Sequence, residues 1–303
     1  MKKYDTLNSV VERESSIWEN CCYKPNNIYN ADCYEALKYI PDNSIDCVYV
    51  DVPYLYKIGG DGKTDLANRA TKQKMELMGA GQLFDKNKSM AKNIRIENNA
   101  VNQKKDLLNA NICDGFEYEK FIEETFRIMK GCNLFIWCSP LQILDIMNCI
   151  SKYTKATQNI LVWCKTNPMP TMNGTWLSDI EYCINVRQNT SRLNDDYELK
   201  SKWYVSEINQ KDKAEYEHPT IKPLDLVKRH ILHATQPNDI VLDCFLGSGT
   251  TAVACKETNR RYIGFELDSN YYTIAKDRLN GISQKDKKLK QKGIQNIFDF
   301  IEN

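Results

Sequence analysis

Apolar and polar positions along this chain fall into blocks whose period switches between that of a strand and that of a helix. Residues 45–50 (IDCVYV) are a β-branched, apolar run after the turn signal Pro41-Asp42-Asn43-Ser44, which predicts a buried strand. Residues 118–130 place Phe121, Ile122, Phe126 and Met129 at helical spacing, and 133–138 (NLFIWC) predict a second strand. A helix over 141–152 and strands over 159–164 (NILVWC) and 180–186 (IEYCINV) follow. The last third predicts helix 223–235, strand 239–243, a glycine-rich turn, helix 250–257, strand 261–265 and helix 269–279. Alternation at these lengths predicts an α/β domain: a mostly parallel sheet with helices on both faces.

Two segments, 56–117 and 187–217, are polar, irregular and too long for ordinary connections in such a domain. A chain of 303 residues is near the upper size for one core, so a single catalytic domain over 1–303 is expected, with these two insertions and a Lys-rich tail from 284 to 303. Overall charge is uninformative, at 41 basic against 40 acidic side chains, but residues 57–106 hold eleven Lys or Arg against six acids. The twelve cysteines show no CxxC spacing, and Cys47, Cys138, Cys164 and Cys244 sit in apolar runs. That pattern suits reduced core thiols and offers no metal site. Neither a signal peptide nor a membrane-spanning run is evident, so a soluble cytoplasmic protein is expected.

Two places carry chemistry. Asp243-Cys244-Phe245-Leu246-Gly247-Ser248-Gly249-Thr250-Thr251 follows a strand and precedes a helix, where glycines let the backbone approach a cofactor. Glu266, at the end of the next strand, can accept both hydroxyls of a ribose. A third glycine and a P-loop lysine are both missing, which favours an adenosine cofactor without a pyrophosphate. The other place is Asp51-Val52-Pro53-Tyr54, at the end of the 45–50 strand. The Asp51 carboxylate and the Val52 carbonyl can accept hydrogen bonds from an amino group, Pro53 stiffens the turn, and Tyr54 offers a face for a planar base. Taken alone, such a tetrapeptide is as readily a plain turn.

The order Asp51-Val52-Pro53-Tyr54, then His218-Pro219-Thr220-Ile221-Lys222-Pro223, then Phe245-Leu246-Gly247-Ser248-Gly249, then Glu266 resembles the β group of amino-methylating DNA methyltransferases. The resemblance spans about residues 27–55 and 115–280. It implies a Rossmann-like fold, a motif order permuted from the usual methyltransferase arrangement, and S-adenosylmethionine as cofactor. By the same resemblance Asp32 takes the role of the acid that contacts the cofactor's adenine. Thr220 and Lys222 belong to a segment closing over its methionine end, and Asp243, Phe245, Gly247, Ser248, Gly249 and Thr250 surround it from the turn. Val52 replaces the family's first proline, Ala31 a glycine and Cys244 a second proline. An acid in first place of the tetrapeptide goes with adenine N6 targets in this family, and serine with cytosine N4.

What the resemblance implies is direct methyl transfer to the N6 of an adenine flipped out of double-stranded DNA, with cytosine N4 as the nearest alternative. RNA or protein-glutamine methylation, an inactive DNA-binding module of the same fold, and a nicotinamide oxidoreductase are weaker readings, the last because it leaves Asp51-Val52-Pro53-Tyr54 unexplained. A homodimer and a cognate restriction endonuclease are admitted as partners, and a membrane is not. Target recognition is expected in 187–217, with added DNA contacts from 56–117. Candidate phosphate-holding residues are Arg187, Arg192, Lys200 and Lys202 in the first and Lys72, Lys74, Lys86, Lys88 and Lys92 in the second. His218 is expected to be structural and His230 and His233 surface or core residues. Trp163 and Lys165 fit a base-pocket border and a packed aromatic with a solvated lysine equally well, and Glu181 fits a loop-holding role.

Overall fold

The computed structural model describes residues 17–54, 116–153, 155–168, 176–188, 194–216 and 220–283, with Lys287 beyond them. Its strands are β1 (Asn27–Asn30), β2 (Cys47–Asp51), β3 (Asn133–Cys138), β4 (Ala156–Lys165), β5 (Ile180–Gln188), β6 (Trp203–Ser206), β7 (Ile240–Asp243) and β8 (Arg261–Glu266). They form one sheet in the order β1-β8-β7-β2-β3-β5-β4-β6. The five strands from β1 to β3 in that order are parallel neighbours. β5 runs antiparallel to β3 and β4, and β6 pairs parallel with β4. The helices are α1 (Cys33–Leu37), α2 (Tyr118–Ile128), α3 (Ile143–Ser151), α4 (Gln210–Tyr216), α5 (Leu224–Ala234), α6 (Thr250–Glu257) and α7 (Ser269–Leu279).

The central strands are apolar throughout because both faces are covered. Along β2, successive side chains point to opposite sides. Val48 and Val50 pack with Leu134, Ile136, Phe121 and Ile146 in one core. Cys47 and Tyr49 pack with Phe135, Trp137, Leu226 and Ile231 in the other. Each such fully buried side chain stabilises the fold by about 1.5–3 kcal/mol. His230, on α5, lies in this second core, stacked on Phe135 at 5.2 Å between ring centroids. Burial pushes its pKa down to about 3, so it stays neutral. Nearby, Trp137 Nε1 donates to Tyr49 Oη at 2.8 Å.

The predicted strands and helices are present, with additions. β1 and α1, of four and five residues, are too short to show a period. The segment expected to be irregular, 187–217, contains a 3-10 turn (Tyr197–Lys200), the edge strand β6 and α4. Strand β6 exposes Trp203 and Val205, and its four residues, two of them outward-facing aromatic or aliphatic, give no apolar–polar alternation to read. Most of the 56–117 insertion lies outside the described residues, as do Arg192, His218 and Pro219 and, apart from Lys287, the tail from 284. Among the described residues no helix is long and apolar enough to cross a membrane.

Candidate active site

Five parallel neighbours place their carboxyl ends on one edge of the sheet, where open α/β sheets bind ligands. The edge carries Asp51 at the end of β2, Asp243 at the end of β7 and Glu266 at the end of β8, with Asp32 just past β1. Because β5 runs the other way, it begins at this same edge. Glu181, its second residue, is thereby set opposite Trp163, two residues before Lys165 closes β4.

The glycine turn is built tightly. Gly249 sits at φ +83°, and a Cβ there would lie 3.0 Å from the Ala275 Cβ and 3.2 Å from its Cα, so only glycine fits. Glu266 braces the turn from β8: Oε2 accepts from Gly247 N at 2.6 Å and Oε1 from Asp268 N at 2.9 Å. A carboxylate with one bond on each oxygen keeps a lone pair on both for further donors such as ribose hydroxyls. Asp243 Oδ1 accepts from Phe245 N at 3.0 Å, and burial raises its pKa to about 7. Ser248 and Thr250 are committed inward, since Arg278 Nη1 donates to their hydroxyls at 3.2 and 2.8 Å. Phe245 packs against Phe116 and Phe121. Asp32 caps α1, accepting from Tyr34 N at 2.7 Å.

The second half of the site is a chain of alternating charges. Lys222, four residues after the undescribed His218, brings its ammonium 2.6 Å from Asp51 Oδ2, 2.9 Å from Glu181 Oε2 and 3.1 Å from Tyr54 Oη. Glu181 Oε1 meets the Lys165 ammonium at 2.6 Å. Burial by itself would raise the Glu181 pKa, but Lys222 and Lys165 hold it down at about 2. Burial by itself would lower that of Lys222, but Asp51 and Glu181 keep it above the usual lysine range. Lys222 is therefore a fixed cation at neutral pH. Asp51 Oδ1, buried, has no hydrogen-bond partner among the described residues.

The backbone of the tetrapeptide is braced separately. Val52 N donates to Trp137 O at 3.1 Å, and its side chain is buried in the first core. Gln142, fully buried, donates from Nε2 to Pro53 O at 2.8 Å while its Oε1 accepts from Ser139 N and Oγ at 3.0 and 2.9 Å.

The structure thus gathers Asp51, Val52, Pro53, Tyr54 and Lys222 at one end of the edge and Asp32, Asp243, Glu266 and the 245–250 turn at the other. Lys222, assigned from resemblance to the cofactor's methionine end, is placed on Asp51, while Thr220, two residues earlier, is exposed. Trp163 is packed in the second core, and Lys165 is not solvated: its side chain is 12% exposed and ion-paired. Lys165, which the sequence offered equally as a pocket border, and Glu181, offered as a loop-holding residue, join this cluster, and Gln142 and Arg278 belong to it without having been singled out by the sequence. Partners in the cluster lie far apart along the chain, Pro53 89 positions from Gln142, Tyr54 127 from Glu181 and Asp212 66 from Arg278, and no local spacing marks them.

Comparison with known proteins bears on the family and the fold. Residues 45–277 match the N6/N4 family model described as DNA methylase. The type II methyltransferase M.HinfI of Haemophilus influenzae is 29% identical over 279 residues, covering 85% of this chain and 69% of that protein. The type II methyltransferase M2.MboI of Moraxella bovis is 28% identical over 271 residues, covering 85% and 88%. Among solved structures, the M1.HpyAVI–SAM complex superposes with a TM-score of 0.55 at 23% identity, covering 84% of this chain and 99% of the other. The PvuII DNA methyltransferase (cytosine-N4-specific) gives 0.54 at 14% identity, covering 86% and 97%. At these identities the structural likeness is one of fold.

Proposed function

The chain belongs to the N6/N4 DNA methylase family, S-adenosylmethionine-dependent DNA methyltransferases of Rossmann-like α/β fold, and we propose that its target is the N6 amino group of an adenine flipped out of duplex DNA. The observation that carries this reading is Asp51 Oδ1, a buried acceptor without a hydrogen-bond partner among the described residues, one position before Val52. An acceptor left unsatisfied in the protein costs free energy that a base amino group arriving there recovers.

The residues at the other end of the edge fit the cofactor. Glu266 has lone pairs for ribose hydroxyls, Asp243 is a buried carboxyl whose ionised form a cationic amino group would stabilise, and the glycine turn leaves its backbone bare. When bound there, S-adenosylmethionine supplies a methyl carbon that takes the amino lone pair while the broken S–C bond leaves its electrons on sulfur. Asp51 and the Val52 carbonyl hold the two amino hydrogens, which turns the nitrogen lone pair out of conjugation with the ring and toward the methyl. As the nitrogen becomes tetrahedral and positive, Asp51 stabilises it and is the first acceptor for the proton it sheds. The Tyr54 ring is the stacking surface for the base, with its hydroxyl tethered to Lys222.

Adenine is favoured over cytosine by the aspartate in first place of the tetrapeptide. The type II relatives point to a restriction–modification setting, with a cognate endonuclease and a second copy of this chain as the protein partners to look for. The test is incubation with methyl-labelled S-adenosylmethionine and unmethylated duplex DNA, digestion to nucleosides and mass spectrometry, with Asp51→Ala alongside. Labelled N6-methyldeoxyadenosine from the wild type only is expected. Labelled N4-methyldeoxycytidine would overturn the base assignment, and label from the variant at the wild-type rate would overturn the role of Asp51.

A further inference from the structure

The Lys222 ammonium has three protons and, in the structure, three acceptors: Asp51 Oδ2, Glu181 Oε2 and Tyr54 Oη. None is left for Asp51 Oδ1. Were Glu181 absent, the ammonium would hold only one carboxylate and could swing onto both of its oxygens, covering the acceptor the base needs. Glu181 is in turn shared, one oxygen to Lys222 and the other to Lys165, whose ammonium also lies 3.4 Å from Ser178 O. The Lys222 and Lys165 side chains are only 10% and 12% exposed, so each charge must keep its partner. The arrangement is over-determined in the way that a fixed geometry requires.

We propose that Glu181, held by Lys165, is a positioning residue for methyl transfer: it fixes the Lys222 ammonium on Asp51 Oδ2, so that Oδ1 alone faces the base amino group. This rests on the reading of Asp51 as acceptor of that group. Glu181 touches neither base nor methyl; it acts through Lys222. The β5 strand, the one strand in the described sheet that runs against the others, is what delivers it.

Single-turnover methylation of duplex DNA by Glu181→Gln, Glu181→Asp, Lys165→Met and the Glu181→Gln/Lys165→Met double variant tests the proposal, with S-adenosylmethionine and DNA affinities measured in parallel. Glu181→Gln is expected to lower the transfer rate by about ten- to a hundredfold, the range for one charged hydrogen bond. Cofactor and DNA affinities should stay within about twofold, separating the transfer step from binding. Glu181→Asp should recover part of the rate, and the double variant should be no slower than Glu181→Gln alone, because both changes act through one ammonium. A Glu181→Gln enzyme at the wild-type rate, or one whose loss lies wholly in cofactor affinity, would overturn the proposal. Should Glu181→Gln not fold, Lys165→Met with an unchanged rate does the same. An inactive Asp51→Ala beside a full-rate Glu181→Gln would sink this inference only; an active Asp51→Ala would sink the reading beneath it.

Discussion

The Arg278 guanidinium lies 3.0 Å from the Asp212 carboxylate, joining α7 to α4 across 66 residues of sequence. The same side chain donates to Ser248 and Thr250 in the glycine turn and stands 4.7 Å over the Tyr216 ring. A segment leading toward Lys222 is thereby tied to the glycine turn. Arg278 is almost wholly buried, and removing it takes a donor from Ser248, Thr250 and Asp212 at once. Arg278→Met should cost about 3 kcal/mol in urea unfolding and weaken S-adenosylmethionine binding. Asp212→Asn, which keeps an acceptor facing the guanidinium, should cost about 1 kcal/mol. Equal stability of the Arg278 variant and the wild type would show the contact to be idle.

Asp243 makes stability depend on pH. Burial raises its pKa to about 7 in the folded chain, above an unfolded value of about 3.9. Between those values the folded state holds a proton that the unfolded state has lost. The contribution is therefore full below about pH 4, declines as pH rises, and is gone above about pH 7, a swing of up to about 4 kcal/mol. Asp243→Asn, uncharged in both states, lacks this slope. Unfolding of the cofactor-free proteins at about pH 5 and about pH 8 should show the variant gaining on the wild type at the higher pH. Parallel curves for the two would refute the assignment.

The motifs on the parallel edge were legible because each is local: a strand, then the residues that leave its end. Asp51 follows IDCVYV, Asp243 follows DIVL and Glu266 follows RYIGF, so strand prediction and site prediction are the same act. Glu181 escaped because its role depends on strand direction. It is the second residue of its strand, and only antiparallel pairing with β3 and β4 brings a strand's beginning to an edge made of strand ends. Lys165, at the end of an apolar run, read equally as a pocket border and as a solvated lysine, because its partner is set across the sheet and not along the chain. Strand β6 escaped for another reason: four residues at a sheet edge, with Trp203 and Val205 facing solvent, carry no binary pattern.

Gly249 is fixed by two independent demands. Its φ of +83° is strained for any side chain, and a Cβ would sit 3.0 Å from that of Ala275 on α7. Gly249→Ala should destabilise the fold by about 1–3 kcal/mol and reduce cofactor affinity through displacement of the turn. Thermal melting with and without S-adenosylmethionine separates the two effects. If the variant melts normally and is stabilised normally by the cofactor, the turn is more compliant than its geometry implies.

Gln142 offers a sharper test of how the tetrapeptide is held. Its amide is oriented by two bonds to Ser139 at one end and makes a single bond to Pro53 O at the other. Gln142→Glu keeps the shape and the acceptor toward Ser139 but, at a pH where its carboxyl is ionised, turns the donor toward Pro53 into a second acceptor, so two oxygens face each other in a buried place. Relief comes most easily from the side that can move, the turn carrying Asp51 and Val52. The transfer rate should fall about tenfold while cofactor affinity holds, and stability should drop by about 1–3 kcal/mol for the unsatisfied buried carbonyl. Gln142→Met removes the attraction without adding repulsion, so it should lose similar stability yet retain more of the transfer rate. If both variants lose rate equally, the brace acts by attraction alone. If neither loses any, the Val52 N bond to Trp137 O at 3.1 Å suffices to hold the tetrapeptide against β3.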